Sequence, residues 1–111
     1  MIIKNINDVE KEIVTGKGVQ KVVKQNLISI ADGAPNFTMR RFIVEPGGFT
    51  FYHTHDYEHE VCILAGEGIA RTKDAELKIK KDMAILVIPN EVHQFINNGN
   101  EDLVFLCIIP N

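Results

Sequence analysis

Three of the four histidines in this 111-residue chain fall within ten residues, FYHTHDYEHE at positions 51–60. They are His53, His55 and His59, and the fourth, His93, lies further along the chain after another apolar run. Residues i and i+2 of a strand point to the same face, so a strand through HxH places two imidazoles side by side. Neutral imidazoles are common metal ligands, and the ordered spacing HxHxxxH…H therefore predicts a metal site.

The third ligand has two candidates when the residues alone are considered. His59 and Glu60 both follow a short turn after His55, and either side chain is of a type that binds metals. His93 is expected on a strand that returns beside the first. The residues alone leave the choice between His59 and Glu60 open.

Three further residues are candidates for the surroundings of this site. Arg40 lies on a strand predicted to pass nearby, where its guanidinium would bind a substrate carboxylate through paired hydrogen bonds; the alternative places it in solvent. Phe105 and Cys107 alternate on the last strand and are expected to face the same cavity, with core packing as the alternative.

Short apolar runs separated by turn signals dominate the rest of the chain. The expected strands cover about 36–45, 49–55, 59–66, 69–73, 76–81, 84–89, 92–96 and 103–109, with a turn at Pro46-Gly47-Gly48. Seven or eight strands at intervals of about ten residues predict an all-β sandwich or barrel. We expect one domain over 1–111, with its core in 34–110 and an N-terminal arm or edge strands in 1–30.

Composition excludes several classes of partner. The chain is 45% hydrophobic and 24% charged, with a net charge of −3, which argues against nucleic acid or an anionic membrane as partner. No stretch is long and apolar enough for a signal peptide or a membrane span, so we expect a cytoplasmic protein.

Two motifs resemble those of the cupin superfamily. The first consists of a glycine, five residues, HxH, a glutamate and a second glycine, which here are Gly47, His53, His55, Glu60 and Gly66. The second, DMAILVIPNEVHQFIN at 82–97, holds His93 and, four positions later, Asn97. Asp82 stands where this motif has a glycine, a departure expected to affect a turn more than the site.

The resemblance implies a single-domain jelly-roll barrel, the double-stranded β-helix of cupins. The segments APNFTMRRFIVEPGG, HTHDYEHE, PNEVHQF and FLCIIP also resemble a small stand-alone cupin of a hyperthermophilic bacterium, from a subgroup that binds manganese through four histidines. In that subgroup a histidine replaces the usual glutamate ligand. This implies His53, His55, His59 and His93 as ligands of one transition-metal ion per chain, with Glu60 as the rival ligand, and manganese ahead of iron, nickel or zinc.

The resemblance also implies a function. Many cupins with such a site use oxygen, which indicates a metal-dependent oxidoreductase of the dioxygenase type that acts on a small organic molecule. The alternatives are a non-catalytic cupin that binds a metal or a small ligand such as a sugar or organic acid, and a cupin isomerase. Small cupins of this kind are usually dimers, and we expect a homodimer in which residues 19–30 contact the partner chain.

Overall fold

The computed structural model describes all residues from 1 to 111 and shows an almost entirely β structure. The strands are β1 Glu12–Ile13, β2 Gln20–Ile28, β3 Phe37–Phe49, β4 His59–Ala65, β5 Glu67–Thr72, β6 Glu76–Lys80, β7 Ala84–Val87, β8 His93–Ile96 and β9 Leu103–Pro110. Two 3-10 turns, Ile6–Asp8 and Ile30–Asp32, are the only helical segments. Neither turn is long enough to cross a membrane.

The strands form one antiparallel sheet that curls into two layers. Its order is β6-β5-β8-β3-β9-β4-β7, and β2 pairs with β3 outside this path. The long strand β3 joins the layers, because it pairs with β9 along most of its length and with β8 only at Phe49, opposite Ile96. The apolar core lies between the layers and includes Val44, Ile63 and Phe105. This confirms the predicted all-β jelly-roll barrel.

Between Pro46 and His55 the structure differs from the sequence prediction. The turn expected at Pro46-Gly47-Gly48 is wrong, because β3 continues through these residues with Gly47 at a φ of 83°. A side chain on Gly48 would approach the carbonyl of Gln20 to 2.7 Å, so glycine lets β2 lie close. The separate strand expected over 49–55 does not form. Strand β3 ends at Phe49, and only one isolated bridge follows, between His53 and His93.

A buried glutamine fastens the N-terminal segment to the barrel. The side chain of Gln25 in β2 is fully buried and donates hydrogen bonds of 2.9 Å to the carbonyls of Ile6 and Val9. Its oxygen accepts a hydrogen bond from Arg41 in β3, also at 2.9 Å. All the hydrogen-bonding groups of this amide are thus directed at the N-terminal segment and the sheet, which satisfies a polar group that would be costly to bury alone.

The two layers have different outer surfaces. The outer face of β5 and β6 carries exposed charged residues such as Arg71, Lys78 and Lys80. The outer face of β4 and β7 is mostly apolar instead, with Leu64 36% exposed and Leu86 56% exposed. An apolar exterior on a sheet whose other side already faces the core is unusual for an isolated domain, and such a surface favours contact with another molecule.

Candidate metal centre

The barrel positions the four histidines through backbone contacts between distant segments. The N–H of His93, the first residue of β8, donates to the carbonyl of His53 at 3.0 Å, and His53 donates back at 3.2 Å. The carbonyl of His55 accepts a 2.7 Å hydrogen bond from the N–H of Asn90, in the turn before β8. His59 opens β4, which pairs with β7 and β9. Residues 53–59 are therefore held in place by backbone hydrogen bonds, although most of them belong to no β-strand.

All four imidazoles lie together at one end of the barrel. His53, His55 and His93 each offer a ring nitrogen, and these three atoms lie within 4.8 Å of one another. The ring of His59 lies outside this set but next to it, with centroid distances of 4.2 Å to His55 and 5.2 Å to His93. The structure thus forms a close group of three histidines with a fourth beside it.

Hydrogen bonds orient three of the imidazoles. Nδ1 of His55 donates to the carbonyl of Tyr57 and Nδ1 of His93 to that of Glu91, both at 2.8 Å. A carbonyl only accepts, so Nδ1 carries the proton in both rings and Nε2 keeps a lone pair. Nδ1 of His59 lies 3.2 Å from Sγ of Cys107.

Two of these histidines have buried nitrogens without a partner. Nε2 of His55 and Nε2 of His59 are inaccessible to solvent and form no hydrogen bond with the protein. An unpaired buried polar atom is costly. A metal ion bound by these atoms would satisfy them, and histidine ligands characteristically donate their other ring nitrogen to a neighbouring group as seen here. The donor set therefore fits a metal.

The surroundings keep three of the imidazoles, those of His53, His59 and His93, neutral. Burial, reinforced by the nearby charges of His55 and Arg40, lowers the pKa of His59 to about 3. Burial also lowers the pKa of His53, with His93 and His55 adding to it. Burial lowers the pKa of His93 against the opposing effect of its hydrogen bond to Glu91. These three rings are neutral at pH 7, which is the state that binds metals.

A cavity of about 240 Å³ adjoins the histidines. Most of its wall is apolar, and the lining side chains besides the histidines are Val14, Val19, Val22, Lys24, Arg40, Phe42, Thr50, Phe51, Tyr57, Phe95, Phe105 and Cys107. The sequence did not indicate the valines from the N-terminal segment. Tyr57 is 36% exposed, and its ring stacks on His55 with a centroid distance of 4.1 Å. No aspartate or glutamate lines the cavity.

Arg40 lies in this cavity without an acidic partner. Its Nη2 donates to Sγ of Cys107 at 3.0 Å, and its guanidinium carbon lies 5.0 Å from the centre of the Phe42 ring. Its Nε is buried without a hydrogen-bond partner, and none of the ion pairs in the structure includes Arg40. A half-buried guanidinium with so few partners favours an anionic ligand.

The remaining predicted site residues divide between the cavity and the exterior. Phe105 and Cys107 line the cavity from β9, and both also belong to the core. Glu60 is exposed on the outer face of β4, opposite Leu86 and Ile108, whereas its neighbour His59 is buried beside the cavity. Successive strand residues face opposite sides, and this placement favours His59 over Glu60 as a ligand.

Two other motif residues support the backbone. Asn97 is buried, and its amide nitrogen donates to the carbonyls of Val44 and Glu101 at 2.8 Å. Asp82, at the position where the motif has glycine, has a φ of 73°. This left-handed conformation suits glycine best and is tolerated by aspartate, so the turn persists despite the substitution.

Comparison with known proteins identifies the family. The model of the cupin domain family matches residues 40–109. The chain belongs to the cupin family. Over 70 residues, or 62% of its length, this cupin is 34% identical to a Thermotoga maritima protein named oxalate-binding protein. It matches 58% of the length of that relative.

Solved structures agree with this assignment. The polyketide cyclase RemF from Streptomyces resistomycificus is 30% identical, with a TM-score of 0.93 over 99% of this cupin and 79% of the cyclase. A protein described as a predicted oxalate decarboxylase from Thermotoga maritima is 27% identical, with a TM-score of 0.86 over 98% of both chains. The family predicted from the two motifs is confirmed, and two of these similar proteins come from Thermotoga maritima.

Proposed function

We propose that this cupin binds one divalent transition-metal ion through His53, His55, His59 and His93. The unpaired Nε2 atoms of His55 and His59, and the lowered pKa values of His53, His59 and His93, support this proposal. Imidazole nitrogen suits the first-row transition metals better than calcium or magnesium, which prefer oxygen. Manganese is the first choice, and iron, nickel and zinc are the alternatives.

The function that this site supports best is that of a metal-dependent oxidoreductase of the dioxygenase type, with a small organic anion as substrate. The observation that carries the proposal is Arg40, a guanidinium without a counter-ion in the same cavity as four histidines. When bound, the metal would supply Lewis acidity and a redox centre for oxygen chemistry.

The protein groups have clear roles in this proposal. One N–H group of Arg40 is engaged by Cys107, and the remaining N–H groups of its two terminal nitrogens would bind a carboxylate or enolate oxygen. The apolar wall from Phe51, Phe95 and the N-terminal valines excludes water from the bound ligand. The volume of about 240 Å³ restricts the ligand to a small molecule.

The second candidate is a protein that binds a small organic acid without converting it. The identity with a relative named oxalate-binding protein favours this alternative, and Arg40 would serve it equally well. An isomerase is less well supported, because proton transfer between carbon atoms needs a general base. No carboxylate lines the cavity, and the histidines are assigned to the metal.

Metal analysis and an oxygen electrode test the proposal. Untagged protein supplied with manganese should contain close to one ion per chain and should consume oxygen with a member of a panel of small phenols, diketones and organic acids. Metal-loaded protein that binds oxalate in calorimetry but consumes no oxygen with any panel member would support the binding alternative. Protein that retains no metal after supplementation with manganese, iron, nickel or zinc would contradict both.

Arg40→Gln isolates the role of the guanidinium. It should weaken binding of the organic anion roughly tenfold or more, since a hydrogen bond to a charged group contributes about 1.5–3 kcal/mol. Metal content should not change. Arg71→Gln is the matched control, because Arg71 is exposed on β5 outside the cavity. Equal anion affinity in both variants would remove Arg40 from the proposal.

A further inference from the structure

The four histidines are not oriented in the same way. Backbone carbonyls hold Nδ1 of His55 and His93 at 2.8 Å. A side chain, Cys107, is the only group that contacts Nδ1 of His59, at a distance of 3.2 Å. A backbone carbonyl is present whatever the side chain, so among these three rings only His59 has a hydrogen-bond partner that a substitution can remove.

Cys107 is well placed to hold this ring. It lies in β9 between Arg40 in β3 and Val61 in β4, and it is 1% exposed. Its Sγ lies between Nη2 of Arg40, at 3.0 Å, and Nδ1 of His59, at 3.2 Å. The almost fully buried sulfur therefore links the guanidinium to the imidazole.

We propose that Cys107 is the positioning residue for His59. Its Sγ accepts the Nδ1 proton of His59 and thereby keeps the Nε2 lone pair free for the metal. This inference rests on the proposed metal site and adds a residue that acts on the metal through another side chain.

The proton count of the two side chains supports this role. A neutral imidazole carries one proton, so a ring that binds metal through Nε2 must carry its proton on Nδ1 and needs an acceptor there. Arg40 only donates, and Sγ is the acceptor within reach of that proton. If the thiol donated to Nδ1 instead, the proton of His59 would lie on Nε2, which is buried without an acceptor.

This arrangement also explains why His59 stands apart from the other three histidines. The nitrogens of His53, His55 and His93 converge within 4.8 Å, and the ring of His59 lies just outside that set. Sulfur is a weaker and longer-range acceptor than a carbonyl oxygen. A hydrogen bond to sulfur therefore restrains His59 less tightly than the carbonyls restrain His55 and His93.

A purely structural role for Cys107 makes a different prediction. Cys107 is part of the core cluster, and buried cysteine often behaves as a small apolar side chain. If packing were its only role, Cys107→Val would retain the metal affinity. Any loss of affinity from disturbed packing would then be the same with and without the imidazole of His59. The positioning role requires that any loss act through His59.

Manganese affinity, measured by competition with a chelator, distinguishes these roles in a double-mutant cycle. Cys107→Val should weaken binding by about 10- to 100-fold, the usual effect of removing a group that orients a ligand. Cys107→Ser, which keeps an acceptor, should restore most of the affinity. In a His59→Ala background, Cys107→Val should have no further effect. Unfolding of the metal-free variants verifies that each is folded, and Cys107→Ala replaces the valine variant if that one is not.

Nitrogen-15 spectra of histidine side chains in the zinc-loaded wild-type protein give a second readout that needs no variant. They should show the proton of His59 on Nδ1. A proton on Nε2, wild-type affinity in Cys107→Val, or an equal loss with and without His59 would each overturn the inference while leaving the metal site in place. Wild-type protein that binds no metal would overturn the proposed function as well.

Discussion

His53 and His93 pair through both of their backbone groups, with N–H to carbonyl distances of 3.2 and 3.0 Å. This isolated bridge joins residues 40 positions apart in the sequence and holds two candidate ligands whose ring centroids lie 5.1 Å apart. The separation of their backbones is thus set by hydrogen bonds that no side-chain substitution removes. We therefore expect alanine variants at the histidines to affect metal binding more than folding.

The histidine variants should differ in severity. His93→Ala removes a member of the close group of three and should abolish manganese binding. His59→Ala leaves that group intact and should retain weaker binding, because three imidazoles still converge. Metal content after gel filtration measures both. Glu60→Gln is the control for the rival ligand, and loss of metal in Glu60→Gln with retention in His59→Ala would reverse our assignment.

Acidification should destabilise the metal-free protein. The folded-state pKa values of His53, His59 and His93 lie below the unfolded value near 6.5, and that of His59 is about 3. Below pH 6.5 the unfolded chain therefore binds more protons than the folded one, and stability falls as the pH decreases toward those folded values. Each such group contributes a slope of up to about 1.4 kcal/mol per pH unit.

Chemical denaturation of the metal-free protein between pH 7 and pH 4 measures this slope. A His59→Gln variant should show a shallower dependence, because it lacks the group with the pKa of about 3. A midpoint that does not change over this range would contradict the prediction.

Gly66→Ala should destabilise the fold more than Gly33→Ala. Both glycines have left-handed backbone conformations, with φ values of 78° and 89°. Alanine at Gly33 would meet no atom within 4 Å and should cost about 1–2 kcal/mol from conformation alone. Alanine at Gly66 adds an overlap with the carbonyl of Asp102. Denaturant midpoints measure the difference. An equal loss of stability in the two variants would show that the backbone near Asp102 moves away from the new methyl group at no cost.

We expect a homodimer formed through the apolar outer face of the layer that contains β2, β4 and β7. A second copy of this chain suits that face because a two-fold interface brings the same apolar patch from both chains together, and the charged outer face of β5 and β6 offers no such surface. Residues 19–30 belong to the same layer through β2.

Leu86→Lys should dissociate the dimer in sedimentation experiments. Leu77→Lys is a matched control, because Leu77 is 55% exposed on β6 in the other layer and Leu86 is 56% exposed on β7. Wild-type protein that sediments at 12.5 kDa at micromolar concentration would contradict the dimer.

The sequence predicted those elements whose pattern is local. The hairpin of β5 and β6 and the apolar strands β4 and β9 were expected close to their observed positions, because alternation and turn residues identify them without reference to the rest of the chain. The strand predicted over 49–55 also alternates, but its path is set by hydrogen bonds to His93 and Asn90, which lie far away in sequence.

In the candidate site, too, local sequence patterns predicted some features and contacts between distant residues set the others. The histidine spacing pointed to a metal centre, whereas the contact between Cys107 and His59 depends on the register in which Val61 lies opposite Cys107. Such a register across two strands is not visible in either stretch alone. The position of Tyr57 on His55 likewise arises from the irregular path of the segment between β3 and β4.

The cavity wall and the histidines come from separate parts of the chain. Val14, Val19 and Val22 lie in the N-terminal segment, outside the region 40–109 that matches the family, whereas all four histidines lie inside it. Exchanges among these valines would alter the shape of the chamber without displacing an imidazole. Under the proposed function, ligand preference and metal loading would therefore be separable traits, and laboratory evolution of the first thirty residues would change the preferred ligand while the metal ligands stay the same.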